Sequence, residues 1–331
     1  MNTIHSSLMK KTILILLTAT LILGLLGGCK ANDANKPSEE ASLKIVTTIF
    51  PEYDWARELL GENPAGAEVI QLLDNGIDLH SFQPTAADIL KVSTCDLFIY
   101  VGGESDAWVE DALKEAVNED MIAINLLEVM GDAVKEEELV PGMEEEEEEE
   151  EEPEYDEHVW LSLRNASLLC EAIADALKSL DPAHAPVYEA NLAAYQAKLS
   201  ALDAAYLETV ESGARKTILF GDRFPFRYLA DDYGLTYYAA FAGCSAETEA
   251  SFETILFLAN QVDAENLPCV LQLESANHRI AETVVQTTAD KNQKVLTMDS
   301  MQSATSRDAA AGKTYLSIME DNLAVLREAL N

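Results

Sequence analysis

Short apolar runs recur along most of the chain, and segments with helical spacing separate them. The runs are rich in β-branched and aromatic residues and stop near glycine, proline or acidic residues, which indicates strands. Strands that alternate with helices predict parallel sheets with both faces covered. The predicted strands are 44–50, 68–73, 96–101, 121–126, 217–220, 235–238, 269–273 and 294–298.

The longest helical pattern follows Pro186 and ends near Gly213. It covers about 27 residues, or roughly 40 Å at 1.5 Å per residue, which is longer than one small domain needs. The fold class is therefore α/β, with two α/β lobes of parallel-type sheets joined by one long backbone helix and a cleft between the lobes. The apolar positions of this helix are Tyr188, Leu192, Tyr195, Leu199, Leu202, Tyr206 and Val210. The shorter predicted helices are 53–60, 85–92, 108–116, 226–232, 251–262, 280–289 and 314–330.

The first 28 residues have the features of a secretion signal. Lys10 and Lys11 precede an apolar run, and the run ends in Leu26-Gly27-Gly28-Cys29. A short apolar core behind a basic start is typical of a signal peptide. The last four residues resemble the bacterial lipobox, which implies cleavage before Cys29 and lipidation of its sulfur; a plain signal peptide with an incidental cysteine is the alternative. Residues 29–42 are small and polar and predict a tether.

The composition and net charge of the chain exclude some classes of binding partner. The chain has 331 residues and a formal net charge of −37, so nucleic acid and anionic membrane surfaces would repel it. Five cysteines are too few for a disulfide scaffold, although the sequence allows a single disulfide between Cys244 and Cys269. Residues 131–156 form an acidic loop that contains an unbroken glutamate run, 144–152. Such a run fits a solvated spacer, or a segment that collects cations.

Polar residues that can bind metals follow several predicted strands. His80 follows the second strand and His158 follows the acidic loop, while Asp222, Glu274 and Asp299 each come after a strand of the second half. Ligand groups gather beyond the carboxyl ends of parallel strands. Imidazole and carboxylate together suit zinc or manganese. No two of these residues form a short ligand motif, so spacing alone also allows loop residues and strand-end caps.

Four segments resemble those of the solute-binding lipoproteins of zinc and manganese ABC transporters. Gly76-Ile77-Asp78-Leu79-His80-Ser81-Phe82-Gln83-Pro84-Thr85 is similar to the first ligand motif of that family, and Asp156-Glu157-His158-Val159-Trp160-Leu161 to the second, with a charged low-complexity loop between them. The segments 243–251 and 295–299 match the second-lobe patterns. The resemblance covers nearly all of residues 43–331, with the motifs in the order of the family.

The resemblance implies a ligand set. His80 and His158 fall on ligands of the first lobe, and Asp299 falls on a carboxylate ligand of the second. The remaining second-lobe ligand of the family is usually a histidine, or a glutamate in some manganese binders. The matching segment here is 220–226, which contains no histidine. Asp222 is the candidate, with Glu274 and Glu247 as weaker ones. Leu79 and Glu157 replace prolines that are common in the family.

The resemblance also implies the function. The protein is expected to be a monomeric, lipid-anchored binding protein on the outer face of the bacterial cytoplasmic membrane. It would hold a divalent cation in the cleft, Zn²⁺ in preference to Mn²⁺, and deliver it to an ABC permease and its ATPase.

The domains would be an N-terminal lobe (43–183), a linking helix (184–213) and a C-terminal lobe (214–331). An enzyme is not expected because HExxH and Gly-x-Ser-x-Gly motifs are missing from the sequence. A lipid-anchored adhesin or interaction protein with a structural metal is the alternative.

Overall fold

The structure, a computed structural model, describes residues 43–143, 155–245, 249–274 and 279–331. The predicted signal peptide, the tether, Cys29 and the glutamate run lie outside these ranges. Within them, no helix combines the length and the apolar character that crossing a membrane requires.

The first lobe contains a parallel sheet in the order β2-β1-β3-β4. In its centre, Val46 pairs with Ile70 on one side and with Phe98 on the other. Val46 and Phe98 are fully buried, because helices cover the sheet and apolar residues fill both of its faces. The strands are β1 (Lys44–Thr47), β2 (Glu68–Gln71), β3 (Leu97–Tyr100) and β4 (Ile122–Asn125). The helices are α1 (Phe50–Leu60), α2 (Ala86–Ser93), α3 (Trp108–Lys114), α4 (Leu126–Met130) and α5 (Leu163–Leu180).

The second lobe repeats this strand order as β6-β5-β7-β8, again parallel. In both sheets the chain crosses from one side of the first strand to the other, and ligands of open α/β sheets bind at that reversal. The strands are β5 (Thr217–Arg223), β6 (Thr236–Phe241), β7 (Cys269–Leu273) and β8 (Lys294–Met298). Past the long helix, the described helices are α7 (Arg227–Tyr233), α8 (Phe252–Glu265), α9 (Arg279–Thr287), α10 (Ser306–Ala310) and α11 (Tyr315–Ala329).

The long helix α6 (Ala185–Ser212) joins the lobes. It packs against α1 and α5 of the first lobe and against α11 of the second. The predicted fold class, two parallel α/β lobes with one long connecting helix, is confirmed. The predicted elements do not include α5, an 18-residue helix that begins at Leu163, after the N-cap Ser162, and packs along α6.

Buried hydrogen bonds fasten the two lobes to each other. The indole Nε1 of Trp160 donates to the carbonyl of Ser300 at 2.9 Å, and the hydroxyl of Tyr315 donates to the carbonyl of Trp160 at 2.7 Å. The hydroxyl of Tyr206, in α6, donates to the carbonyl of Met319 at 2.7 Å. One apolar core runs through both lobes. Because packed cores resist continuous deformation, we expect relative motion of the lobes to be small.

Candidate metal centre

His80 lies on a one-turn 3-10 helix, Leu79–Ser81, beyond the carboxyl end of β2. The Asp78 carboxylate caps this turn by accepting the backbone N–H of His80 at 3.1 Å. The fully buried Leu79 anchors the turn in the core, and Arg223 of β5 forms an ion pair with Asp78 from the other lobe. The backbone around His80 is therefore held from both lobes.

His158 is fully buried and is held by its neighbour Asp156. One carboxylate oxygen, Oδ1, accepts the backbone N–H of His158 at 2.9 Å and contacts ring Nδ1 at 3.0 Å. A carboxylate at this distance favours the tautomer with the proton on Nδ1, which leaves the Nε2 lone pair free to bind a metal. The 3-10 turn that follows, Val159–Leu161, is buried, and the ring of Trp160 lies against that of His158, with centroids 5.2 Å apart.

The two imidazoles converge although they are 78 positions apart in the sequence. Their Nε2 atoms lie 3.2 Å from each other. Two nitrogens that bind one tetrahedral zinc at 2.0–2.1 Å stand about 3.3 Å apart. The structure thus brings His80 and His158 to the separation that one zinc ion requires.

Cys244 completes a three-residue cluster with the histidines. Among the described residues, one group of three or more side chains offers ligand atoms within 4.8 Å of one another, and it consists of His80, His158 and Cys244. The cysteine lies three positions beyond β6. Sequence reasoning considered Cys244 only as a disulfide partner, but it is a free thiol, and so is Cys269. Its place after the carboxyl end of a strand, like that of His80, was the signal that could have identified it.

Glu157 lies near the Nδ1 atom of the His80 ring, whereas the Nε2 atom of that ring faces His158. Ring Nδ1 of His80 contacts the Ser105 hydroxyl at 2.8 Å and Glu157 Oε2 at 3.6 Å. Glu157 Oε1 accepts the backbone N–H of Ser105 at 3.0 Å. Gly103 makes room for this carboxylate, since a Cβ there would stand 2.2 Å from Oε1. Each histidine therefore has a carboxylate near Nδ1, an arrangement that orients metal-binding imidazoles.

Removing this negative charge is expected to weaken metal binding. In Glu157→Gln we expect zinc affinity to fall about tenfold, the lower end of the effect of losing an outer partner of a metal ligand. Isothermal titration with zinc would measure it. The exposed neighbour Glu104 provides the matched control, and Glu104→Gln should bind like wild type. Equal affinity in both variants would contradict a role for Glu157.

Burial shapes the protonation of the site. Desolvation, followed by the proximity of the His158 ring and the Arg223 guanidinium, lowers the pKa of His80 to about 3. His80 is thus neutral, the form that binds metals, well below pH 7. Desolvation, followed by the carboxylates of Glu137 and Asp156, raises the pKa of the Cys244 thiol, so this thiol is protonated in the metal-free protein.

Asp222 lies in the second lobe, outside the cluster. Its Oδ2 accepts the backbone N–H of Leu273 at 3.0 Å and its Oδ1 accepts that of Arg223 at 2.9 Å, so the carboxylate links the ends of β5 and β7. A larger side chain does not fit at the preceding Gly221, where a Cβ would stand 2.5 Å from the backbone of Ala281. The backbone of α9 therefore packs tightly on β5 beside Asp222.

Glu274 and Asp299 also lie outside the cluster, at the ends of β7 and β8. Glu274 accepts the backbone N–H of Ser300 at 2.8 Å, and burial beside Asp299 raises its pKa to about 7. Asp299 accepts the backbone N–H of Met301 at 2.8 Å and pairs with Lys313 at 3.3 Å. The two carboxylates thus have partners of their own. Glu247, the remaining candidate, is not among the described residues.

Comparison with known proteins gives concordant matches. Residues 45–329 match the family described as zinc-uptake complex component A, periplasmic. The chain is 32% identical over 301 residues to the zinc-binding lipoprotein AdcA of Streptococcus pneumoniae, covering 89% of this chain but 57% of that protein. It is 28% identical over 323 residues to the high-affinity zinc uptake system protein ZnuA of Bacillus subtilis, covering 96% and 97%. The Zn(II)-bound ZnuA-like domain of Streptococcus pneumoniae AdcA superposes with a TM-score of 0.67 at 29% identity, covering 87% of this chain and 99% of that domain.

Proposed function

Since this chain belongs to the family of zinc-uptake complex component A proteins, we propose that it captures Zn²⁺ outside the cytoplasmic membrane and delivers it to an ABC permease. The observation that carries the proposal is the 3.2 Å separation of the His80 and His158 Nε2 atoms. Imidazole nitrogens at this distance provide two adjacent corners of a zinc tetrahedron. Nitrogen ligands favour zinc over manganese in intrinsic affinity.

The task of the site is coordination rather than turnover. His80 and His158 bind the ion directly, while Asp156 and the pair Ser105–Glu157 orient the rings. The second lobe closes the site, and the desolvated environment strengthens the attraction between the ion and the nearby carboxylates. The ion is cargo, so we propose no catalytic role for the protein.

Anchoring and partners follow from the same proposal. Lipidation of Cys29 would attach the protein to the outer face of the membrane, and acyl chains contribute about 0.8 kcal/mol per buried methylene. The partner is an ABC permease with its ATPase, and the binding protein acts as a monomer. The name of the Streptococcus pneumoniae relative, a lipoprotein, supports the anchor.

Elemental analysis combined with an uptake assay tests this function. Purified full-length protein, loaded with equimolar zinc and manganese and desalted, should retain about one zinc per chain, because the described residues contain one cluster of metal-binding side chains, built on the imidazole pair. Cells that lack the gene should lose high-affinity zinc uptake and regain it on complementation. Protein that retains no zinc, or deletion cells with normal zinc uptake, would refute the proposal.

Whether the metal-free chain folds distinguishes a zinc carrier from the alternative, an adhesin with a structural metal. A carrier must be folded before the ion arrives, whereas a structural zinc site contributes much of the folding free energy. Circular dichroism of chelator-treated protein distinguishes the two. A cooperative unfolding transition without metal favours the carrier.

A further inference from the structure

We propose that the Cys244 thiolate is the metal ligand from the second lobe, so that one sulfur and two imidazole nitrogens select zinc against manganese. This inference rests on the proposed function, since it assumes that His80 and His158 bind the cargo. It adds a ligand of a different chemical class from the carboxylates that the sequence suggested.

Backbone contacts of Gly243 and Cys244 hold the cysteine near the histidines. Gly243 lies close to His158, because a Cβ at Gly243 would stand 3.2 Å from ring atoms Cε1 and Nδ1. The glycine thus lets the segment after β6 approach the buried ring closely. The backbone N–H of Cys244 donates to Glu137 Oε1 at 2.7 Å, which fixes the cysteine from the first lobe as well.

The other candidates of the second lobe are less suited to join the histidines. Asp222 accepts backbone N–H groups with both oxygens, and Glu274 and Asp299 are held by the segment 299–301. None of the three belongs to the cluster of ligand atoms within 4.8 Å. Among the second-lobe His, Cys, Asp and Glu residues that the structure describes, Cys244 is therefore the one that forms a cluster with both histidines.

Cys244 also differs from the other described thiols. Cys95, Cys170 and Cys269 are buried, and Sγ of Cys95 contacts the carbonyl of Val92 at 3.1 Å. Buried thiols of this kind are inert and act as small apolar groups. Cys244 is partly exposed and is the thiol in the metal-binding cluster.

The chemistry of sulfur gives the site its selectivity. Thiolate is a soft ligand that favours zinc, whereas manganese favours carboxylate and water. A zinc–sulfur bond of about 2.3 Å with zinc–nitrogen bonds of 2.0–2.1 Å fits three atoms that already lie near one another. Cysteine binds as the thiolate, so its proton passes to the buffer when the ion binds.

Cobalt substitution tests this ligand directly. Wild-type protein loaded with Co²⁺ should show a near-ultraviolet sulfur-to-cobalt charge-transfer band, because a thiolate bound to cobalt absorbs there and imidazole does not. Cys244→Ser should lose the band, and the matched control Cys269→Ser should keep it. In Cys244→Ser we also expect zinc affinity to fall by at least about tenfold with little change for manganese, because sulfur contributes mainly to binding of the softer ion.

X-ray absorption of the zinc-loaded wild-type protein covers the case in which Cys244→Ser does not fold. A sulfur shell near 2.3 Å supports the proposal, and a first shell made only of nitrogen and oxygen overturns it. A charge-transfer band that persists in folded Cys244→Ser would overturn it as well. Wild-type protein that binds zinc without sulfur leaves the histidine site intact, whereas wild-type protein that binds no zinc refutes the proposed function itself.

Discussion

Replacing His80 by alanine is expected to weaken zinc binding by more than about 100-fold, since loss of an outer partner alone costs 10–100-fold and His80 is a direct ligand in our proposal. The variant leaves the Nε2 atom of His158 without its neighbour at 3.2 Å. Competition with a chromogenic chelator would measure the dissociation constant. The fold should persist, because His80 lies at the edge of the core and keeps a side-chain exposure of 10%.

His184 provides the matched control for this substitution. It lies in the turn before α6 and pairs with Asp181 at 2.6 Å, outside the described cluster of metal-binding side chains. His184→Ala should bind zinc like wild type. An unchanged dissociation constant in His80→Ala would remove the basis for a histidine site.

Replacing Trp160 by alanine is expected to destabilise the metal-free protein by about 3–5 kcal/mol, the usual cost of truncating a large aromatic residue in a core. Trp160 is fully buried, and its indole and carbonyl groups both bond to the second lobe, through Ser300 and Tyr315. Its ring also contacts His158, with centroids 5.2 Å apart. Zinc affinity should therefore fall together with stability. Denaturant unfolding at equilibrium would measure the loss.

Two control substitutions accompany Trp160→Ala. Trp160→Phe keeps most of the apolar volume and removes the bond to Ser300, so its loss should be clearly smaller. Phe252→Ala removes an aromatic ring that is 73% exposed and should change stability by less than about 0.5 kcal/mol. If Trp160→Ala unfolds at the same denaturant concentration as Phe252→Ala, Trp160 does not fasten the lobes.

The local pattern was sufficient to predict all eight strands that the structure describes, because each is a compact apolar run whose type depends on neighbours in sequence. The observed ends of the strands differ from the predicted ends by a few residues. The pattern predicted β5 to end at Phe220, whereas it continues to Arg223, where the pairing with β6 changes register. That extension depends on contacts with other strands, which no local window contains.

Helix α5 is absent from the predicted elements although its sequence carries a local signal. Its buried apolar residues recur at helical spacing behind the N-cap Ser162. Its packing along α6, in contrast, depends on long-range contacts. The place of Cys244 depends on such contacts as well, because Gly243 brings its segment against the ring of His158. A backbone approach of this kind leaves little trace in the sequence apart from the glycine.

The sequence by itself determined the two-lobed α/β architecture, the long helix and the convergence of His80 and His158, since periodicity and turn residues act locally and the two motifs resemble those of a known family. Only the tertiary structure decided which second-lobe residue comes near them. Asp222, Glu274 and Asp299 are as suitable as Cys244 by position after a strand, but they bond to backbone N–H groups nearby. The physical reason is that a ligand site forms where side chains from distant segments meet in a desolvated space, and such meetings are set by the packing of the whole chain.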